Sequence, residues 1–459
     1  MTIKRDAYDV VVVGARCAGA PLAALLARQG IKVAVVERAR FPQDTLSTHI
    51  FQAPGIALLD RLGLTEQIRA TGARYVDRVR ARIEDVEFTV AWPQQPGDVG
   101  GVASVRRFVL DPILAAAAAG AGAELRMSTA VTGLLEDHGR VAGVRIVRDG
   151  RESMLKARLV IGADGRNSTI ARLVGARKYN AAPNERFGYW AFFEDARPGP
   201  HPAILLQRWN DRFVIGCPAD AGLYQVIVIP DLYELPRFRE DLDGSFMEYA
   251  LSSLPVAEVL AGARRTGKFF GMLRWEGFLR EASGPGWVLA GDAGHFKDPA
   301  PGQGIGDAFR QADTLAPVIA RALEGATEEI DRALASWGRW RDKDAAEHYW
   351  FAVDLGRAGT IPTPLPEVIA RLIAKGRIDQ YINLFNHRTT PSKVISSARV
   401  LSATGRLLVR RECERGALLR ELAEMVAEDA RRKRLNQRPA YVETGVTLET
   451  RSTDAAIAA

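Results

Sequence analysis

The sequence predicts an α/β protein in three parts: a parallel sheet with crossover helices, a mainly antiparallel sheet set into it, and a helical C-terminal region. Three observations carry that expectation. The first 40 residues read strand, glycine-rich turn, helix, strand. Between about residues 187 and 230, short apolar runs are separated by turn residues. From about residue 325 onward the pattern is mainly helical.

Residues 10–13 are four consecutive valines, the run expected of a strand buried on both faces. Residues 21–28 hold helix formers and residues 31–36 read as a second strand, an alternation that gives a parallel sheet. An Ala-rich helix over 110–121 precedes strand-like segments ending at 158–162. Runs at 188–193, 203–209, 212–217 and 223–229 read as neighbouring antiparallel strands. A buried-strand pattern returns at 287–290, with a glycine-rich turn and a helix after it. The boundaries that follow are 1–80, 101–180 and 265–325 for a dinucleotide-binding domain, 81–100 and 181–264 for the inserted sheet domain, to which the resemblance described below assigns substrate binding, and 326–459 for the helical region. No solenoid repeat is present, and the last ten or so residues are too small and polar to pack.

With 459 residues, 47% of them hydrophobic, the chain can bury cores for two or three domains. Its 25% charged content is that of a globular protein, not of a disordered or fibrous one. The net charge of +7 comes from 62 basic and 55 acidic residues, so the signs are mixed. The densest basic cluster, Arg431, Arg432, Lys433 and Arg434, closes a predicted helix over 406–430 that carries Glu421, Glu424 and Glu428. Cations there complement the macrodipole, so a solvated helix end is favoured over binding to nucleic acid or an anionic membrane. Cys17, Cys217 and Cys413 form no CxxC pair, and six histidines show no HxxxH spacing, so neither a disulfide framework nor a metal site is expected. The apolar run after Lys4 and Arg5 is too short for a signal peptide, and nothing approaches the ~20 residues of a spanning helix. A cytoplasmic protein without membrane insertion is expected.

Three motifs carry chemistry. In Gly14-Ala15-Arg16-Cys17-Ala18-Gly19, Gly14 permits a tight turn and Gly19 close packing of helix on strand, and the helix N-terminus presents N–H groups to a pyrophosphate. Glu37 ends the next strand, placed for a ribose diol. An ordinary glycine turn is the competing reading. In the second motif, residues 160–168, a strand delivers Asp164 into a glycine turn; an Asp-Gly turn with Ser168 as helix cap explains it equally. In the third, Asp292 follows a buried strand, and the Gly302-Gln303-Gly304-Ile305-Gly306 turn opens a helix able to stabilise negative charge on a reduced ring.

In this order and spacing the motifs resemble the group A flavin monooxygenases, the para-hydroxybenzoate hydroxylase-like family, over about residues 8–323. The resemblance implies a Rossmann-like FAD-binding domain. Gly14, Gly19 and Glu37 would hold the ADP half. Arg107 would lie near the phosphates, and Asp164 belongs to a motif associated with FAD and NAD(P)H. Asp292 would hold the ribityl-pyrophosphate region, while Pro299, Gly302 and Gly304 would line the isoalloxazine. Ala15, Cys17, Ala18, Arg38, Val131 and Ile305 complete the implied cofactor-binding set. Three features depart from the family: Arg16 replaces a glycine, Gly306 stands where many members carry Asn, and Asp44 to His49 resembles the geranylgeranyl reductase-like branch.

The implied activity is that of a monooxygenase in which NADPH or NADH reduces FAD and O2 gives a flavin C4a-hydroperoxide. That species hydroxylates a small aromatic or polycyclic substrate, with water kept out by the protein. No second Rossmann fingerprint exists, which fits transient NAD(P)H binding or a partner reductase. Tyr189, Trp190, Phe192, Gln207 and Trp209 are candidates for the substrate face, although strand alternation turns half of them away. His49, His295 and Lys297, with Pro299, are the candidates for catalysis. The competing readings are a structural His295 and a surface Lys297. Trp337, Trp340 and Trp350 read as a helix face packed on the core. Alternatives are an FAD-dependent reductase or dehydrogenase of a prenyl or other apolar substrate, and a non-catalytic flavin-binding module, which would be expected to lose the 299–306 segment that is intact here. The WxWxIP signature of tryptophan halogenases is absent. The helical region either covers the site or makes a subunit contact, and a homodimer is compatible with it.

Overall fold

The computed structural model describes residues 5–411 and 413–442. Lys4 and the small, polar last residues lie outside the described residues.

The first sheet has eight strands. Its parallel centre is Trp287–Leu289, Arg151–Gly162, Arg5–Val13, Val33–Val36 and Glu124–Arg126, in that order. Register does the important work. Val13 pairs with Gly162 and with Val36, and Gly162 pairs with Leu289. All three glycine-bearing motifs therefore leave the sheet at one carboxyl edge, the edge at which open α/β sheets bind ligands. Alternate valines split between two cores. Val10, Val12, Val33, Val35 and Ile161 pack under the helices Gly19–Ala27, Arg107–Gly120 and Gly304–Leu323. Val11, Val13, Ala34 and Val160 face Val144, Ile146 and Leu155 of the antiparallel extension.

The second sheet has seven strands, ordered Arg264–Met272, Gly188–Glu194, Tyr224–Val228, Arg212–Pro218, Ile204–Trp209, Arg78–Ile83, Val86–Ala91. The four runs expected as strands are adjacent in it. Two of its strands cross the expected boundaries: Arg264–Met272 forms an edge, and Arg78–Ile83 starts before residue 81. The edge strand is half exposed and opens with Arg264 and Arg265, so its period-2 pattern is weak.

Alternation gives this sheet two buried faces. The outer face, with Tyr189, Phe193, Leu205 and Val226, lies under the helices Leu235–Glu240, Leu242–Leu251 and Leu254–Leu260. The inner face, with Trp190, Phe192, Leu206 and Ile227, is covered by the C-terminal helices Pro364–Ala374, Asp379–Phe385 and Ser397–Leu408. Within the Thr327–Leu355 helix, Trp337 and Trp340 join the first core, but Trp350 packs separately with Tyr179 and Tyr349.

The helix expected over 406–430 is instead two, Ser397–Leu408 and Arg415–Gln437. The basic cluster lies inside the second rather than capping it. Arg431 and Arg432 pair with Glu428, Lys433 with Asp429, and Arg432 also grips Asp354 through two 2.6 Å bonds. Arg431, Lys433 and Arg434 are exposed near the helix end, as expected, and Arg432 alone ties two helices together. Among the described residues, no helix is long and apolar enough to cross a membrane.

Two buried arginines pin the C-terminal region to the second sheet. Arg186, 0% exposed, pairs with Asp231 at 2.7 Å and donates to the carbonyls of Asp211, Ile229, Arg357 and Gly359. Arg208 reaches the same Arg357 and Gly359 carbonyls. Removing one partner of a buried pair strands the other charge, at a cost on the order of 3–5 kcal/mol. Arg186→Met is therefore expected to lower unfolding free energy by about that much, read by urea titration; an unchanged midpoint would show that Asp231 has found water.

Candidate active site

At the carboxyl edge, the first turn is held by steric necessity. Gly14 has φ +104, and a Cβ on it would lie 2.4 Å from the Ala163 carbonyl oxygen. A Cβ on Gly19 would lie 1.9 Å from the Gly14 carbonyl oxygen, so the helix approaches the strand only without one. The buried Glu37 carboxylate accepts the Ala15 and Ala39 N–H groups, each at 2.9 Å, and keeps lone pairs for further donors. Arg38 beside it is exposed. Val131 is half-buried close to Thr129, whose N–H donates to the Glu37 carbonyl at 2.9 Å.

The departure at Arg16 has a structural partner. Asp111, wholly buried, accepts from Arg16 at 2.6 Å and from Arg107 at 2.6 and 3.1 Å. Arg16 also lies over the Phe41 ring. Two guanidinium groups are thus held beside the N-terminus that follows Gly14. Cys17, in the same turn, is buried, which pushes its thiol up to about 12 and keeps it neutral.

Asp164 turns inward on its own chain. Its carboxylate accepts the Ser168 hydroxyl at 2.5 Å and the N–H groups of Thr169 and Ile170, while the Ser168 oxygen caps the Thr169–Leu173 helix. Asp292 follows the Trp287–Leu289 strand; burial raises it to about 6, with Arg107 pulling the other way. Beyond Pro299, Gly302 (φ +66) closes a turn by donating to the Pro299 carbonyl at 2.8 Å. A Cβ on Gly304 would meet nothing within 4 Å, so open space stands over the N-terminus of the Gly304–Leu323 helix; Ile305 behind it is buried. At Gly306 a Cβ would meet the Gln52 Oε1 at 3.3 Å, and Gln52 in turn donates to the Gly302 carbonyl at 3.0 Å.

The titratable candidates are all buried. Lys297 is no surface charge: it sits 2.6 Å from Asp307 and donates to Gln303 at 2.7 Å. Burial opposes the Asp307 charge, but Lys297, His387 and His295 outweigh it and hold that carboxyl far below its usual range. His295 contacts Gln311 through Nδ1, and burial drives its pKa to about 3. His49, with φ +61, is likewise lowered to about 3 by burial. Its Nδ1 faces the Arg107 N–H at 3.1 Å and its Nε2 the Trp190 indole N–H at 3.2 Å. A neutral imidazole can accept only one of these two donors.

Around His49 stand Trp190, Phe192 and Phe270, with ring centroids 5.6 to 6.4 Å away. Ile50 and Ala300 belong to the same apolar cluster, so the inner face of the second sheet meets the Pro299–Gly304 segment. Only Trp190 and Phe192 of the five substrate-face candidates are on that face. Tyr189 packs against Phe187 and Phe238, Gln207 donates to the Arg80 carbonyl, and Trp209 lies under Arg82, all on the outer face or its edge. The reason is parity: neighbours in a strand point to opposite faces. Asp111, Gln52, Phe270 and His387 were not singled out from the sequence. Asp111 alone had a local signal, an Arg–Asp pair at i,i+4; the others meet their partners across long stretches of chain.

These features fit FAD in three places: lone pairs of Glu37 for a ribose, two guanidiniums at a helix N-terminus for a pyrophosphate, and the space over Gly304 for a ring. Glu37→Gln can accept only one of the two N–H groups and turns its amide on the other. With hydrogen bonds to charged groups contributing ~1.5–3 kcal/mol, FAD binding to the apoprotein is expected to weaken by roughly 10- to 100-fold, read by flavin fluorescence quenching. An unaltered affinity would remove Glu37 from the site.

Buried histidines also set an acid sensitivity. His348, buried and pressed on His387, is lowered to about 2. Unfolded, it binds a proton near 6.5; folded, it does not, so its contribution is present above 6.5 and lost as pH falls toward 2. Between pH 6.5 and 4 the protein is expected to lose stability faster than its His348→Phe variant, by at most about 1.4 kcal/mol per pH unit. Parallel stability–pH curves would contradict this.

Known proteins bear on the site directly. Residues 7–336 match the FAD binding domain family. The 6-methylpretetramide 4-monooxygenase of Streptomyces rimosus is 27% identical over 335 residues, covering 69% of this chain and 76% of its own. The menaquinone reductase of Mycolicibacterium smegmatis is 29% identical over 323 residues, covering 65% and 72%. Among solved structures, the flavin-dependent brominase Bmp2 superposes with TM-score 0.67 at 18% identity over 88% of this chain and 98% of that one. Aklavinone-11 hydroxylase, solved with FAD and aklavinone, gives TM-score 0.61 at 22% identity over 76% and 68%. The superpositions establish the shared fold, and the family match, spanning all three motifs, establishes that this chain belongs to the FAD binding domain family of flavoproteins.

Proposed function

We propose that the protein is an FAD-dependent monooxygenase that takes electrons transiently from NADPH or NADH and uses O2 to hydroxylate a small aromatic or polycyclic substrate. The observation that carries this reading is the aromatic lining of Trp190, Phe192 and Phe270 around His49, set against the Pro299–Gly304 segment. In it the first sheet with its helices is the FAD domain, the second sheet is the substrate domain, and the C-terminal helices close the inner face.

FAD supplies the hydride acceptance and oxygen transfer. The chain supplies the rest. The N-terminus of the 20-residue helix that opens at Gly304, with the N–H groups that follow Gly302, favours negative charge on the ring. The apolar inner face and its helical cover keep water from the reacting centre. Neutral His49 carries one N–H and one lone pair, so it can pass a proton without itself staying charged. Lys297 is committed to Asp307 and acts on the site through that carboxylate; Pro299 shapes the turn.

A second reading, an FAD-dependent reductase of a prenyl or other apolar chain, is favoured by the apolar inner face and by the similarity to the menaquinone reductase described above. Oxygen uptake separates the two. The monooxygenase consumes one O2 per NADPH and its product gains one oxygen; anaerobic turnover to a more saturated product would establish the reductase instead. Trp190→Ala is expected to keep NADPH oxidation while the ratio of hydroxylated product to NADPH falls severalfold, with H2O2 as the balance. An unchanged ratio would place the substrate elsewhere.

A further inference from the structure

His387 occupies the turn after the Asp379–Phe385 helix, beyond the residues of the family match, with φ +54. Its Nδ1 lies 3.1 Å from Asp307 Oδ1 on the Gly304–Leu323 helix. Its Nε2 lies 3.1 Å from the Asp344 carbonyl oxygen and 3.3 Å from Asp344 Oδ2 on the Thr327–Leu355 helix. Every atom facing the ring nitrogens is an acceptor, and only the doubly protonated ring donates from both. This is the reverse of His49, whose nitrogens both face donors.

The surroundings agree with an imidazolium. Lys297 and His295 approach Asp307 from the other side, at 2.6 and 3.8 Å. Arg310 holds Asp344 through two bonds of 2.6 and 2.8 Å. His348 lies against His387 with ring centroids 3.7 Å apart and is kept neutral by burial, while Arg388 is committed to Asp98. Among Lys297, Arg310, Asp307, Asp344 and a protonated His387 the balance is one positive charge, placed behind the first turn of the Gly304–Leu323 helix. The same turn is tied to His387's own segment, because Gln303 donates to the carbonyls of Leu384 and Phe385.

We propose that His387, as an imidazolium bridging Asp307 and Asp344, is a positioning residue for the flavin: it fixes the Gly302–Gly304 turn and adds the positive charge that favours the reduced, anionic cofactor. The proposal rests on FAD binding alone and holds for an oxygenase or a reductase.

The test is the two-electron midpoint potential of the FAD-loaded protein, measured by dye equilibration without substrate, NADPH or O2. His387→Gln removes the charge and is expected to lower the ratio of reduced to oxidised flavin about tenfold at fixed potential, a shift of about 30 mV for two electrons. His387→Arg keeps a cation with two-sided donors and is expected to restore most of it. Asp344→Asn removes a negative charge and is expected to move the potential upward, which keeps the proposal testable if His387→Gln does not fold. A merely structural histidine would lower the unfolding midpoint in His387→Gln and leave the potential in place. That result overturns the proposal, as does a shift of one sign in both His387→Gln and Asp344→Asn.

Discussion

Asp111 is the point from which the site is built. Its carboxylate is wholly buried, and it takes two guanidinium groups, Arg16 and Arg107. A buried carboxylate without such partners would be very costly, so its place in the core and the orientation of both arginines are fixed together. The consequences run in two directions. Toward the first sheet, Arg16 and Arg107 are directed at the N-terminus that follows Gly14. Toward the second, the Arg107 N–H meets His49, and His49 meets the Trp190 indole. Arg107 thereby joins the two ends of the site: its side chain, held by Asp111, serves the nucleotide end, and its main-chain N–H meets His49 on the face proposed to receive substrate.

What could be read from the sequence follows from how local each cause is. Gly14, Gly19 and Glu37 act within one strand–turn–helix–strand unit, and the steric reason for each glycine is visible in the spacing. The parallel sheet was legible for the same reason, because four consecutive valines need two buried faces. Parity in the second sheet was not: whether Tyr189 or Trp190 faces the flavin side depends on how the sheet is mounted, and nothing within the strand encodes that. The Arg264–Met272 strand was missed because an edge strand with charged positions lacks alternation. The helix break between Leu408 and Arg415 also left no marker, since neither Pro nor a sequence of turn residues stands there. Gln52, Asp307 and His387 find their partners across distances in the chain that only the fold can close.

The C-terminal region shows how polar contacts select an arrangement that burial alone would leave loose. Apolar helices can slide on an apolar sheet at little cost. Arg186 and Arg208 both converge on the carbonyls of Arg357 and Gly359, and Gln303 takes the last carbonyls of the Asp379–Phe385 helix. Each of these bonds fails if the cover shifts by a residue, and an unpaired buried guanidinium is penalised heavily. The cover is therefore held in one register over the inner face, where exclusion of water depends on fit.

The contrast between His49 and His387 brings these arguments together. Burial favours the neutral ring at His49, and what separates the two histidines is what the backbone and neighbouring helices aim at the ring: donors at His49, acceptors at His387. Two donors leave His49 neutral and leave one N–H, of Arg107 or of Trp190, without a full partner. A buried donor in that condition is held ready for another acceptor. The Arg107 N–H is fixed at the start of its helix, whereas the Trp190 indole N–H stands on the inner face of the second sheet. A substrate carbonyl or phenolic oxygen arriving at the inner face would satisfy that indole N–H, and would free His49 to settle on the Arg107 N–H through Nδ1 with its proton on Nε2, directed at the newcomer. On the proposed function, the unmet donor is the feature through which a substrate bound at the inner face would fix the tautomer of His49.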